Sequence, residues 1–279
     1  MDYIGLDELL LSALREDIGT GDITTTCCIP AENRSEAYFI AKESGIICGI
    51  DIAARVFTLV DTGIAFSPIF KDGDKVSKGE IIATVSGSSR GILTGERVAL
   101  NLMQRLSGTA TATAKAVEAV AGTKARITDT RKSTPGLRVL EKYAVRVGGG
   151  HNHRFNLADG VLIKDNHIAA AGGIAAAVSA ARNTVPHVMK IEVETETLDE
   201  VRQALEAGAD IIMLDNMSIE LMTEAVKIID GRALTEASGN MGERNITDVA
   251  RTGVDIISIG ALTHSVKSLD ISLKFKKYN

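Results

Sequence analysis

Between Asp129 and His167 the chain reads DTRKSTPGLRVLEKYAVRVGGGHNHRFNLADGVLIKDNH, which gathers seven Lys and Arg against four acids and holds three of the five His. The chain as a whole is acidic, with 31 Lys+Arg against 36 Asp+Glu and a net charge of −5. Arg131, Lys132, His153, Arg154 and Lys164 form the cationic set, with Arg105 a candidate to join it. Arginine offers a planar fork for a carboxylate or phosphate, and lysine a compact charge. Positive charge concentrated inside an acidic protein points to a small anion, because nucleic acid draws a broad basic surface. The plain alternative is pairing with Asp129, Asp159 and Asp165. Gly148-Gly149-Gly150 would let a ligand approach the backbone closely, or would simply make a turn.

Carboxylates follow downstream. Glu194 and Asp215 suit Mg²⁺ held with a diphosphate, sugar hydroxyls or a developing cation, and pairing with Lys190 or Lys164 is the plain alternative. Ser238-Gly239-Asn240 and Gly260-Ala261 are small residues after two late strands, where loop N–H groups of a barrel grip phosphate. No G-x-x-x-x-G-K-[ST] or H-E-x-x-H motif is present. His151 and His153 lack a third ligand at zinc spacing.

The elements that must position these groups show a repeating rhythm. β-branched runs alternate with helical segments: ARITDT then 136–147, GVLIKD then 172–183, VMKIEVE then 197–207, DIIMLD then 217–229, ALTEAS then 244–252, and VDIISIG then 268–276. Such βα units predict a parallel sheet, open or closed. Asp129-Thr130-Arg131-Lys132, Lys164-Asp165-Asn166, Glu192/Glu194, Asp215-Asn216, Glu236/Ser238 and Gly260 each end a different strand. Polar groups on nearly every strand end converge most simply on the C-terminal mouth of a barrel. Upstream, 7–17 reads as an amphipathic helix ended by Gly19 and Gly21, and 36–48 and 64–86 as strands with Gly turns. Lys71–Gly87 resembles part of a biotinyl/lipoyl-like β-fold, without the context of a modified lysine. Thr94 is expected to cap a helix ended by Gly108, with Arg97, Asn101 and Arg105 along one stripe.

Composition bounds the rest. Hydrophobic content of 45% is ample for a core, whereas 4% aromatic content without Trp leaves little for stacking. Cys27, Cys28 and Cys48 form no C-x-x-C and read as reduced thiols. Acids near the N-terminus and the lack of a spanning apolar run predict a cytoplasmic protein that engages neither membrane nor nucleic acid.

The segments GDITT (21–25), ERVALNLMQRLSGTAT (96–111), DTRKSTPGLR (129–138), EKYAVRVGGGHNHRFNLADGVLIKDNHI (141–168), IEVE (191–194), MLDN (213–216), EASGN (236–240) and ISIGALTHS (257–265) run in order along nearly the whole chain. Together they closely resemble the quinolinate phosphoribosyltransferases. The resemblance implies an α/β protein: an N-terminal α/β sandwich domain over 1–107, joined by a C-terminal helix at 268–279, and an incomplete, six- to seven-stranded β/α barrel over 108–267. It implies transfer of phosphoribosyl from phosphoribosyl pyrophosphate to quinolinate, with release of CO₂ and pyrophosphate and a need for Mg²⁺. By resemblance, Arg131, His153, Arg154 and Lys164 hold quinolinate, with Arg105 contributed across a homodimer interface. Lys132, Lys164, Glu194 and Asp215 serve the chemistry. Thr130, Ser238, Gly239, Asn240, Gly260, Ala261 and His264 bind substrate, and Glu194 and Asp215 approach the metal through water. Ser133 and Val147 stand where the family more often has Thr and Cys. The other readings are a same-fold enzyme for another aromatic acid and a noncatalytic anion-binding module. Intact Arg131, Arg154 and Lys164 argue against the first, and turnover would exclude the second.

Overall fold

A computed structural model describes residues 4–276. In chain order the elements are α1 Leu6–Ile18, α2 Ile23–Cys28, β1 Arg34–Ala41, β2 Gly45–Ile46, α3 Ile50–Val60, β3 Ala65–Pro68, β4 Lys75–Val76, β5 Ile81–Ser88 and α4 Ser89–Ala119. They continue through β6 Arg126–Thr128, α5 Arg138–Val147, β7 Val161–Ile163, α6 Asp165–Ala171, α7 Ile174–Thr184, β8 Ile191–Thr195, α8 Leu198–Glu206, β9 Ile211–Asp215 and α9 Ile219–Ile229. The last are β10 Leu234–Ser238, α10 Ile246–Arg251, β11 Ile256–Ser258, α11 Ala261–His264 and β12 Ile271–Phe275. They fall into two compact units, one of residues up to 112 with 139–148 and from 266 onward, the other of 113–138 and 149–265.

The first unit is built on an antiparallel sheet in the order β12-β1-β5-β3. Alternation along β1 buries Ala37, Phe39 and Ala41 on one face, as a period of two requires. Phe39 meets Phe57 of α3 edge-on, with ring centroids 6.1 Å apart, so α3 covers the sheet through its buried stripe of Ile52, Val56 and Phe57. Asp72 fixes the start of α3 by accepting from the Gly49 and Ile50 amides.

Three local expectations change here. The segment expected as a C-terminal helix is strand β12, antiparallel to β1. Apolar residues at 269, 271, 273 and 275 repeat every second position, and burying Ile271 and Leu273 on one face settles the conformation. Thr94 does not cap α4, and Gly108 does not end it: the helix runs on to Ala119. Thr94 donates instead to Asp22, the residue that caps α2. A Cβ on Gly108 would lie 2.3 Å from the Lys267 carbonyl oxygen, so this glycine serves close backbone approach. Finally, α5 follows a barrel strand in sequence but belongs to the first unit. Leu140, Glu141, Lys142, Ala144 and Val145 are all buried, and Tyr143 donates to Asp72.

The second unit is a parallel sheet in the order β6-β11-β10-β9-β8-β7. It is open: among the described residues no ladder joins β6 to β7. A parallel bridge from Thr128 to His151 adds one further short crossing at the β6 edge. Positive-φ glycines such as Gly208 and Gly253 end the intervening helices, as the αβ turn chemistry predicts. Each strand buries one parity against the helices, including Ile163, Val193, Ile212, Leu214, Ala237 and Ile257. The other parity faces the mouth.

Candidate active site

Toward the C-terminal ends of the strands the residues of that second parity include Leu162 and Lys164 on and after β7, Glu192 and Glu194 on β8, Met213 and Asp215 on β9, Glu236 and Ser238 on β10, and Ser258 on β11. Pairing puts Leu162 beside Glu192, Glu194 beside Met213, Met213 beside Glu236, and Asp215 beside Ser238. Except for Glu192, all of them line one cavity of about 430 Å³ at the C-terminal ends of the strands. Loops add Thr130, Arg131, Lys132, His153, Arg154, Asn216, Gly239 and Asn240 to its wall. Thirteen residues quoted from the sequence as strand-end or loop groups thus meet in one place: Thr130, Arg131, Lys132, His153, Arg154, Lys164, Glu194, Asp215, Asn216, Glu236, Ser238, Gly239 and Asn240.

The cations hold one side. Arg131 Nε is buried without a hydrogen-bond partner. Arg154 donates through Nη1 to the Gly160 carbonyl at 2.9 Å. Burial, and then the neighbouring Arg131 charge, lower the Arg154 pKa, which marks two guanidinium groups crowded together. Lys164 pairs with Glu194 Oε2. Lys132 is held through its main chain: its carbonyl accepts from Thr263 Oγ1 at 2.7 Å, and its amide donates to Thr130 Oγ1 at 3.0 Å.

Beside the other cations His153 meets two buried carboxylates, Glu192 and Glu236, to which sequence reasoning gave no role beyond ending their strands. Glu192 and Glu236 are 4% and 2% exposed. His153 Nε2 sits 3.2 Å from Glu192 Oε2 and 3.5 Å from Glu236 Oε1. Burial pulls the His153 ring toward neutrality, but hydrogen bonds to Glu192 and Glu236 outweigh it and push its pKa up to about 10. Burial also raises Glu192. Yet Arg154 N–H donates to His153 Nδ1 at 2.8 Å, so that nitrogen keeps its lone pair and the ring proton lies on Nε2. These observations place the extra proton differently. The direct amide contact decides for the ring, and the proton belongs to the trio as a whole.

Other supports were only partly legible. Asp129, fully buried, accepts from Asn152 Nδ2 at 2.6 Å and from the His153 amide at 2.9 Å, so it orders the His-Asn-His-Arg segment. Arg138 donates to Ser133 Oγ at 2.8 Å and to the Phe155 carbonyl at 3.2 Å, tying together the loops that carry Arg131 and Arg154.

Some predicted residues stand elsewhere. Gly260, Ala261 and His264 are not on the cavity wall, and a Cβ on Gly260 would come within 3.1 Å of Lys132 Cδ and 3.2 Å of the His264 ring. Gly148–Gly150 form the exit from α5, where Gly148 N–H bonds to the Ala144 carbonyl, and they do not line the cavity. Arg105 belongs to the first unit, where Nε and Nη2 donate to buried Glu141 at 2.9 and 2.5 Å. That unit also carries a G-x-S-x-G match at Gly87–Gly91, between β5 and α4. Ser89 there is buried and shares a hydrogen bond with Ser35, and no His occurs in the unit, so the match carries no hydrolytic triad.

Glu194 and Asp215 are hard oxygen donors of the kind Mg²⁺ uses, each with one oxygen already bound to a neighbouring side chain. A hydrated ion shared with a diphosphate fits this pair better than a closed protein cage. His153, Glu192 and Glu236 also bring a ligand atom each within 4.8 Å of one another, with His153 Nε2 at ion-pair distance from both carboxylates and with Glu192 Oε1 and Glu236 Oε1 buried without a hydrogen-bond partner.

Fold and site together define an open β/α protein whose strand ends and loops line one cavity with both cations and carboxylates, a site suited to a small anion. The match to known families is specific. Residues 22–107 match the quinolinate phosphoribosyl transferase N-terminal domain and residues 109–274 the C-terminal domain. The chain belongs to the quinolinate phosphoribosyltransferase family. It is 49% identical to a probable nicotinate-nucleotide pyrophosphorylase [carboxylating] of Bacillus subtilis (strain 168), over 98% of this chain and 94% of that one. It is 45% identical to quinolinate phosphoribosyltransferase [decarboxylating] 2, mitochondrial, of Nicotiana glauca, over 96% and 82%. The crystal structure of NadC from Streptococcus pyogenes superposes with a TM-score of 0.92 at 44% identity, covering 99% of this chain and 100% of that one.

Proposed function

We propose that this protein transfers the phosphoribosyl group of phosphoribosyl pyrophosphate to the ring nitrogen of quinolinate, giving nicotinate mononucleotide, pyrophosphate and CO₂. The observation that carries the reading is the crowding of Arg131 and Arg154 in one cavity that Lys164, Glu194 and Asp215 also line. Unit charges about 4 Å apart attract by roughly 4 kcal/mol at an effective dielectric near 20. A dicarboxylate therefore needs several cations to offset its desolvation.

On this reading Arg131, Arg154 and Lys164 hold the two carboxylates, and the buried trio backs them. Departure of pyrophosphate leaves positive charge on the ribose, which Glu194 and Asp215 stabilise. The ring nitrogen supplies the electron pair for the new bond to the ribose, and the ring becomes a pyridinium. The carboxylate at the adjacent carbon then leaves as CO₂, its bonding electrons stay on the ring carbon, and a proton from solvent completes the product. Mg²⁺, held through water by Glu194 and Asp215, would neutralise the departing diphosphate. Ser238, Gly239 and Asn240 supply small loops for phosphate, and Lys132, next to Gly260, faces the phosphorylated sugar with Ala261 and His264 from the loop that follows.

Arg105 is absent from the cavity wall. In this proposal the working form is a homodimer in which each copy lends Arg105 to the other's site. A cytoplasmic setting accords with Cys27, Cys28 and Cys48 all present as thiols, and no helix among the described residues is long and apolar enough to cross a membrane. The direct test is to mix protein, Mg²⁺, quinolinate and phosphoribosyl pyrophosphate. Stoichiometric CO₂ and mononucleotide are expected, and tight anion binding without turnover would overturn the assignment.

A further inference from the structure

The geometry points to Asn216 as a positioning residue for the phosphoribosyl half of the cavity: its carboxamide holds the Asp215 carboxylate and sets the spacing of the loops after β9 and β10. This rests on the reading of Asp215 given above.

The backbone supplies the first observation. Asn216 has φ +53°, in the left-handed region that few residues other than Gly, Asn and Asp enter. Three non-glycine residues with positive φ are found among those described: Asn216, Asp230 and Asn240. Asp230 is the C-cap of α9, a usual place for this conformation. The other two stand on the cavity wall, at the ends of neighbouring strands. Strain of this kind persists where surrounding contacts over-determine it.

Those contacts centre on one side chain. Asn216 Nδ2 donates to Asp215 Oδ2 at 2.7 Å, and its Oδ1 accepts from Asn240 Nδ2 at 3.3 Å. Its backbone amide donates to the Ser238 carbonyl at 3.1 Å. Gly239 must be glycine for the same reason: a Cβ there would lie 2.3 Å from Asn216 Oδ1 and 2.7 Å from Asn216 N, and its φ is +90°. The two loops thus touch through Asn216, and the donor on Oδ2 orients the Asp215 carboxylate. Aspartate at 216 would replace that donor with a second negative charge. Glycine would keep the backbone and remove the donor.

The test measures binding by calorimetry, for phosphoribosyl pyrophosphate with Mg²⁺ and separately for quinolinate. Asn216→Gly is expected to weaken phosphoribosyl pyrophosphate binding about tenfold, the scale of one charge-assisted hydrogen bond, while quinolinate affinity stays within about twofold. In an Asp215→Asn background the same change should add less than about twofold, because a residue acting through Asp215 loses its effect once Asp215 is neutral. Undiminished affinity in Asn216→Gly, equal loss for both ligands, or full additivity with Asp215→Asn would each overturn the proposal. If Asp215→Asn itself leaves phosphoribosyl pyrophosphate affinity unchanged, the reading of Asp215 falls and takes this one with it. Gly239→Ala gives a second route should Asn216→Gly not fold. Its methyl group displaces the same carboxamide and should reproduce the ligand-selective loss, and normal affinity in that variant would likewise overturn the role of Asn216.

Discussion

Arg131 and Arg154 are arranged to meet an anion. One guanidinium has a buried Nε without a partner, and the other is depressed in basicity by burial and by its neighbour. A dicarboxylate relieves both. Nicotinate, with a single carboxylate, would leave cations unpaired, and a site built for a missing polar group can reject the analogue by about 10⁴–10⁵. Strong discrimination in kcat/KM is therefore expected, and comparable values for the two acids would sink the dicarboxylate assignment. The trio behind them gives a prediction in pH. Burial, and the facing Glu236 charge, raise the Glu192 pKa above its ordinary 4.5, so the folded trio keeps a carboxyl proton that the unfolded chain releases. Above 4.5 the folded state binds more protons, so this stability is fully present at lower pH and is lost as pH rises through the raised value. Urea unfolding of Glu236→Gln should show a flatter decline over that window than the parent protein. Parallel profiles would rule the trio out as the source. The cations were legible because charged residues at the ends of apolar strands have few other reasons to be there. Glu192 and Glu236 share that pattern, but their burial behind His153 depends on how the His153 loop folds over the sheet, which strand periodicity does not encode.

At the scale of elements, the βα rhythm of the second unit was readable because each strand is a short apolar run closed by a polar group, and positive-φ glycines close several of the helices. The errors share a cause: local propensity was overruled by a neighbour distant in sequence. Gly108 looks like a helix stop and is a point of contact with the Lys267 carbonyl. This separates two effects that usually act together. Alanine in a helix interior gains about 1 kcal/mol over glycine by propensity, whereas forcing a methyl group into a filled space costs about 1–3 kcal/mol or more. The obstacle is backbone at 2.3 Å, which cannot swing aside, so the clash should dominate and Gly108→Ala should destabilise the protein. Denaturant titration checks it, and a stabilised variant would show that the β12 segment can move. In β12 itself the alternation at 269, 271, 273 and 275 was visible, and it outweighs the helix-compatible Lys and Leu content once a partner edge is available.

At the scale of the whole molecule, the proposed exchange of Arg105 between copies makes a prediction that a self-contained monomer would not meet. Arg105→Ala and Lys164→Ala should each abolish most turnover, yet a mixture allowed to exchange subunits should regain activity, because one of the two mixed sites then carries both residues. No recovery despite demonstrated exchange would restrict Arg105 to its contact with Glu141. Size and composition set no oligomeric state, so sequence alone carried this only through family resemblance.

The chain's path through α5 has a consequence for how such a protein can be divided. The polypeptide leaves the second unit after Arg138, contributes ten residues to the first, and returns at Gly149. No single cut in the gene separates the two units. A fragment starting at 113 would still carry α5, with Leu140, Ala144 and Val145 deprived of the unit that buries them. The two halves are therefore bound to a common inheritance: recombination that swaps one at a simple junction exposes an apolar helix, whereas point changes in either half are free to accumulate.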